Sequence, residues 1–289
     1  MKFGRVMIRW SKENGNNQLV ALILLSVTTI AFLGISFYQA IISTKIQSKL
    51  TVLENWTATV DHRLAGNPAI PAIKICRSPN CAHFLIRFVI IQRQIAQAGP
   101  GGIIFLGDSN TEGTSFPQRL CGKATINAGV GGVQVGSLSQ FSKSLIHIAK
   151  PSAIVISVGV NDAWKLGGTT PLKIFRKQYL ALVETALNAK VPVLVTLIPP
   201  VEAGKPLGAQ AFSSEMISRF NDEILEISRE KRLVLVDVHK DLAAENGFAK
   251  PGSTIDGVHL SAVATSSWLD KVTEAISTKF VGCYIMQLL

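Results

Sequence analysis

The chain has 289 residues and a net charge of +10, with a hydrophobic fraction of 47% and a mean hydropathy of +0.32 that is high for a protein living wholly in water. That length allows one good-sized domain and an appendage. No basic block is interleaved with aromatic residues, which argues against nucleic-acid binding, and the four cysteines lack zinc-site spacing.

Residues 1–17 form a basic N-terminus in which Lys2, Arg5, Arg9 and Lys12 face one acid, Glu13. From Asn17 to Thr44 no residue is charged. An apolar run of this kind reaches the roughly 20 residues a helix needs to cross a bilayer, and predicts a signal-anchor over 18–43. The basic flank keeps the N-terminus cytoplasmic and sends the remainder across, to the periplasm or outside. A cleaved signal peptide is the alternative, but its apolar core is usually only about 7–15 residues. Beyond Thr44 the balance is 25 basic to 18 acidic residues, +7, read as a solvated basic surface.

Residues 44–100 read as a juxtamembrane stalk and lead-in. TKIQSKLTVLENWTATVDHRL predicts a helix, followed by a proline-containing loop from Asn67 to Pro79. Asn55-Trp56-Thr57 fits a glycosylation sequon, relevant only in a eukaryotic secretory host. On a translocated domain, Cys76 and Cys81 are close enough to close a small loop, leaving Cys121 and Cys283 as a second pair; free, partly buried thiols are the other reading.

From residue 101 to 289, short apolar runs alternate with helical patterns. Strands are expected at 103–106, 124–126, 153–158, 191–197 and 233–238, and near-continuous apolar runs of this kind typify parallel strands buried on both faces. Thr170-Pro171 opens a helix running to Ala189, Ser213 or Ser214 caps the next, and Ser261 caps the last. The alternation predicts an α/β sandwich whose ligands bind beyond the carboxyl ends of the strands.

Four motifs follow there in order: Gly107-Asp108-Ser109-Asn110, the run from Asn127 to Gly132, Gly159-Val160-Asn161-Asp162, and Asp256-Gly257-Val258-His259. A serine hydroxyl attacks only when a base takes its proton, and a histidine base needs an acceptor on its other ring nitrogen. His259 and Asp256 supply both if the intervening residues turn. Donors for an oxyanion are then expected from the Ser109 N–H, the Gly132 N–H and the Asn161 amide. Asp108 and Asn127 are expected to organise their loops. Trp164 either walls a pocket or packs in the ordinary way. His62, His83, His147 and His239 have no partner pattern and are given no function.

Taken together these blocks resemble the SGNH, or GDSL-type, hydrolase family over roughly residues 101–275. The resemblance implies a flavodoxin-like three-layer α/β/α fold and hydrolysis or transfer of acyl groups without metal or cofactor. It also implies Ser109 as nucleophile, Asp256 and His259 as the acid–base pair, and Gly132 and Asn161 as oxyanion donors, with Gly129 and Gly131 as the fallback glycines in the second block. Val133 departs from the pattern, since many relatives carry a polar residue there. No G-x-S-x-G elbow surrounds Ser109, which disfavours the common α/β-hydrolase.

The expectation is a serine esterase acting at the cell envelope on short acyl groups, O-acetylated carbohydrate foremost. An O-acyltransferase with the same triad and a catalytically idle glycan-binding domain are its rivals.

Overall fold

The computed structural model describes residues 79–280 and 283, together with residues 34, 35, 38–41, 43 and 44. The chain divides into two compact units, Met1–Asn67 and Pro68–Leu289. In the first, the described residues are helical and exposed. No helix among the described residues is long and apolar enough to cross a membrane. Most of the expected anchor at 18–43, the sequon, the helix expected over 44–64 and the Cys76–Cys81 pairing lie outside the described residues.

The second unit opens with α1 (Pro79–Ala98), then β1 (Ile103–Gly107), the one-turn α2 (Ser109–Glu112), β2 (Arg119–Leu120), β3 (Lys123–Gly129) and α3 (Val135–Ala149). It continues with β4 (Ala153–Ser157), a 3₁₀ turn (Val160–Ala163), α4 (Leu172–Leu187), β5 (Val193–Thr196), α5 (Ser214–Lys231), β6 (Val234–Val236), the short α6 (His239–Leu242) and α7 (Ala262–Ser277). The sheet order is β2-β3-β1-β4-β5-β6, parallel except for the β2–β3 pair. Counted among themselves, the five parallel strands run 2-1-3-4-5, the flavodoxin-like order, which reverses direction between β1 and β4.

Alternation along the strands explains the layering. Ile104 and Leu106 point to one core with α1, α3, α4 and α5, while Ile103 and Phe105 point to a second core closed by Trp268, Val272 and Ile276 of α7. Every residue of β1 and β4 is buried, as strands covered on both faces require. Helix starts follow local chemistry. Ser213 accepts the Met216 N–H and Ser261 the Ala264 N–H, each satisfying an otherwise orphan donor.

The lead-in expected to end at residue 100 is in part core. On α1, Ile91 is fully buried and Phe84 and Phe88 pack on Phe141 of α3, so this helix belongs to the α/β unit and the boundary at 101 falls too late. Phe88, Ile91 and Ile95 are buried along one helical face, which a stalk would leave wet, while Ile86 and Ile90 on the other side are exposed.

β2 was not apparent in the sequence because it is only two residues long. It turns into β3 through Cys121 and Gly122, both at positive φ (49° and 73°), the pairing a two-residue primed hairpin needs. Cys121 is bonded to Cys283, which ties the chain beyond α7 to this hairpin across 162 residues. A cross-link closing a loop this long mainly restricts the unfolded chain. Reduction, or Cys121→Ala with Cys283→Ala, is expected to cost about 2–4 kcal/mol and to lower Tm by roughly 5–15 °C. Thermal unfolding with and without reductant measures it, and an unchanged Tm would refute the cross-link's role.

Candidate active site

Ser109 opens α2 immediately after β1, at the carboxyl edge of the sheet and beside its reversal point. Asp108 caps that helix by accepting the Asn110 N–H at 3.0 Å. Gly107 and Gly129, paired across β1 and β3, let α2 lie directly on the strand ends. A Cβ on Gly107 would collide with Thr111 and the Ser157 carbonyl, and one on Gly129 with the backbone of Thr111 and Glu112. Asp108 is buried, which pushes its carboxyl up to about 7 despite hydrogen bonds from Asn110 and Gly159 and the pull of His259.

Asp256 and His259 arrive on a tight loop before α7. One oxygen of Asp256 accepts the Val258 and His259 N–H groups at 3.1 and 2.9 Å, and the other lies 2.6 Å from His259 Nδ1. Burial opposes the charge of this carboxyl, but those hydrogen bonds and the imidazole outweigh it and hold it below the usual carboxylate range. A carboxylate can only accept, so Nδ1 carries the proton and Nε2 is left with a lone pair. Nε2 lies 2.9 Å from Ser109 Oγ.

Asn110 sets that distance. Its side-chain oxygen accepts the Leu260 N–H at 2.9 Å and its amide donates to the Val258 carbonyl at 3.3 Å, gripping the backbone on either side of His259. Sequence reasoning quoted Asn110 but gave it no role. The available signal was its place directly after Ser109.

Glu202 was missed altogether. Its buried carboxylate accepts from Gly252 N–H, Thr254 N–H and Thr254 Oγ1 (3.0, 3.0 and 2.7 Å), and Thr254 Oγ1 in turn accepts the Gly257 N–H at 3.1 Å. Burial raises this group, yet bonds from Thr254, Gly252 and Lys205 prevail and bring it down to about 2. Because the folded value lies below the unfolded one, the associated stability is present above about pH 4.5 and is lost as pH falls toward 2. It amounts to on the order of 3 kcal/mol. Glu202→Gln should therefore be less stable than the parent at pH 7, and urea midpoints of the two should draw together as pH falls below about 4.5 and meet only near pH 2. A gap that persists there would refute the clamp.

Asn127 bridges the loops. Its amide donates to the carbonyls of Thr111, Glu112 and Thr114, and its oxygen accepts the Gly129 N–H. The turn Val130–Val133 closes through Val133 N–H to Val130 O at 3.2 Å, with Gly132 at φ 75°, the sign a type II turn requires at its third residue. Gly129 N–H is taken by Asn127 and Gly131 N–H by Glu112. The Gly132 N–H has no protein acceptor among the described residues, so it, rather than a fallback glycine, is the open donor.

Asn161 stands in the 3₁₀ turn after β4 and donates one amide hydrogen to the Val133 carbonyl at 3.0 Å. Asp162 behind it accepts the Val135 N–H and the Thr170 hydroxyl, each at 3.0 Å, and burial pushes its carboxyl up to about 6. The structure thus brings Ser109, Asp256 and His259 into one chain of hydrogen bonds, with Gly132 and Asn161 on the adjoining loops. Trp164 packs edge-on against Phe212, ring centroids 4.9 Å apart. A cleft of about 440 Å³ opens between the N-terminal ends of α3 and α4, with Gln134, Ser137, Gln140, Thr169 and Gln178 among its walls and no charged side chain. The Gln134 side chain donates to the Asn161 carbonyl at 3.3 Å, placing one end of the cleft beside that loop.

No group of His, Cys, Asp and Glu among the described residues could hold a metal ion. The chain from Ser109 through His259 to Asp256 offers a hydroxyl, an imidazole and a carboxylate, with N–H donors on the adjoining loops.

A sequence model of the GDSL-like Lipase/Acylhydrolase family matches residues 105–264. No curated protein matches the sequence. Among solved structures, a GDSL-like lipase from Bacteroides thetaiotaomicron is similar over 70% of this chain and 98% of its own, at 19% identity and a TM-score of 0.55. The acetyl xylan esterase AlAXEase is similar over 61% and 99%, at 22% identity and 0.53. A lipase/acylhydrolase from Enterococcus faecalis is similar over 62% and 95%, at 21% identity and 0.51. At these identities the structures share the fold, while the family match spans more than half of the chain and takes in all four motifs. The chain therefore belongs to the GDSL-like lipase/acylhydrolase family and is an ester-hydrolysing enzyme.

Proposed function

We propose that this chain is a membrane-anchored, extracytoplasmic serine esterase that removes O-acetyl or other short acyl groups from carbohydrate or small esters. The observation that carries the mechanism is the continuous path from Ser109 Oγ through His259 to Asp256, at 2.9 and 2.6 Å. His259 Nε2 takes the Ser109 proton as Oγ attacks the ester carbonyl. The oxyanion of the tetrahedral intermediate meets the Ser109 N–H, the Gly132 N–H and the free amide hydrogen of Asn161. Asp256 holds the imidazolium, which returns its proton to the departing alkoxide. Water then attacks the acyl-enzyme by the same route, with His259 again the base.

Three features support the substrate class and location. The neighbouring cleft is lined by neutral amides and hydroxyls suited to sugar hydroxyls. One similar fold is that of an acetyl xylan esterase. The Cys121–Cys283 bond suits an oxidising compartment, in keeping with the uncharged run behind a basic N-terminus.

The test is acetate release from O-acetylated xylo-oligosaccharide beside p-nitrophenyl esters of increasing chain length, with fluorophosphonate labelling read by mass spectrometry. Expected are an adduct on Ser109 and a preference for acetyl over long-chain esters. Acetyl appearing on an added glycan rather than in water would make the enzyme an acyltransferase. A folded protein that binds glycan but neither takes the label nor releases acid would overturn the reading in favour of an idle binding domain. Full-length mass in the membrane fraction is expected, and a shortened soluble product would overturn the anchor.

A further inference from the structure

We infer that Glu112, held by Arg87 and His83 of α1, is a positioning residue that aims the Gly132 N–H at the oxyanion. The inference rests on the reading of Gly132 as an oxyanion donor. A Gly131-Gly132 pair has more backbone freedom than any other dipeptide, so its peptide plane points one way only if something outside the turn holds it. Glu112 Oε2 accepts the Gly131 N–H at 2.5 Å. Val133 N–H bonds within the turn and Val130 N–H bonds the Gly107 carbonyl at 3.0 Å. Both sides of the Gly132 N–H are thereby anchored while that group itself stays open.

The brace is built to keep Glu112 in place. His83 Nε2 lies 3.0 Å from the same carboxylate oxygen, and Arg87 Nε lies 3.7 Å from the other. Arg87 is only 8% exposed, and its guanidinium also donates to the Gly129 carbonyl (2.6 Å), the Asn127 carbonyl (2.9 Å) and the Asn127 side-chain oxygen (2.8 Å). Burying a guanidinium is costly unless its donors are used, and here they are spent on the backbone of the strand that leads into the turn. Glu112 is also the last residue of the one-turn helix that Ser109 begins. Nucleophile and oxyanion donor are thus referenced to the same four residues. The cation that completes the brace comes from α1, outside the residues matched by the family.

The experiment compares full-length parent, Glu112→Ala and Glu112→Gln in ester hydrolysis, fluorophosphonate labelling and thermal unfolding. Gln keeps an acceptor oxygen for the Gly131 N–H; Ala does not. Misplacing a donor by about 1 Å can cost up to about 10²-fold, so Glu112→Ala should lower kcat by roughly 10–100-fold with KM changed less than about 3-fold. Labelling should slow by the same factor, because the phosphoryl oxygen takes the oxyanion's place, and Gln should restore most of both rates. A folded Glu112→Ala with parental kcat overturns the inference, as does a Gln variant as slow as Ala. If the Ala variant does not fold, Glu112→Asp, which keeps the charge but withdraws the oxygen by one methylene, must show the same loss or the inference falls. Failure of the underlying reading is distinguishable, since the parent itself would then be inert to the label.

Discussion

Replacing Ser109 with alanine is expected to lower kcat for ester hydrolysis by about 10⁴–10⁶-fold with the fold intact. The hydroxyl is the group whose oxygen meets His259 Nε2 at 2.9 Å, and alanine removes the attacking atom while leaving the Asp108 cap of α2 in place. His259→Ala should be impaired to a similar degree, because without a base the hydroxyl keeps its proton. The double variant should be no worse than either single one within a few-fold, since the two side chains act as one unit. Thermal unfolding separates lost chemistry from lost structure. Residual turnover within 10-fold of the parent would place the nucleophile elsewhere.

Asp256→Asn carries the second-largest expected effect, a fall in kcat of about 10⁴-fold. The retained side-chain oxygen of Asn can still accept the Val258 and His259 N–H groups, so the loop should hold. The amide NH₂ that replaces the other oxygen can only donate. Facing His259 Nδ1, it favours the tautomer with the proton on Nε2, which then has no lone pair for the Ser109 hydroxyl. The imidazolium also loses its neighbouring negative charge. A near-parental Tm with a loss of this size is the predicted pair of results; a loss under 10-fold would show that His259 is oriented by something else.

The architecture was legible in the sequence because buried parallel strands need unbroken apolar runs, and the motifs stood at the ends of those runs. The five parallel strands, Ser213 and Ser261 as caps, and the order of the four blocks are all local properties of the chain. The candidate nucleophile, base and acid were legible for a related reason: attack by a hydroxyl demands those residue types wherever the chain later brings them together. Boundaries at strand ends shifted by a residue or two, and β3 runs three residues beyond the expected run because its end carries the Asn127–Gly129 loop link rather than apolar side chains.

Only the tertiary structure decided which glycine N–H stays open, since Gly129, Gly131 and Gly132 differ in what approaches them and not in type. Arg87 meets the Asn127–Gly129 backbone across some forty residues, Glu202 meets Thr254 across 52, and Asn110 grips the His259 loop across about 150. Contacts of that separation leave no periodicity in the sequence. The same holds for α1, whose apolar face looked like a lead-in until the core it covers was in place, and for Cys121 and Cys283, which are neighbours only after the sheet and α7 have formed. Residue type determined what chemistry this protein can do, and long-range packing determined which copies of each residue type do it, because distance and direction are properties of the folded chain alone.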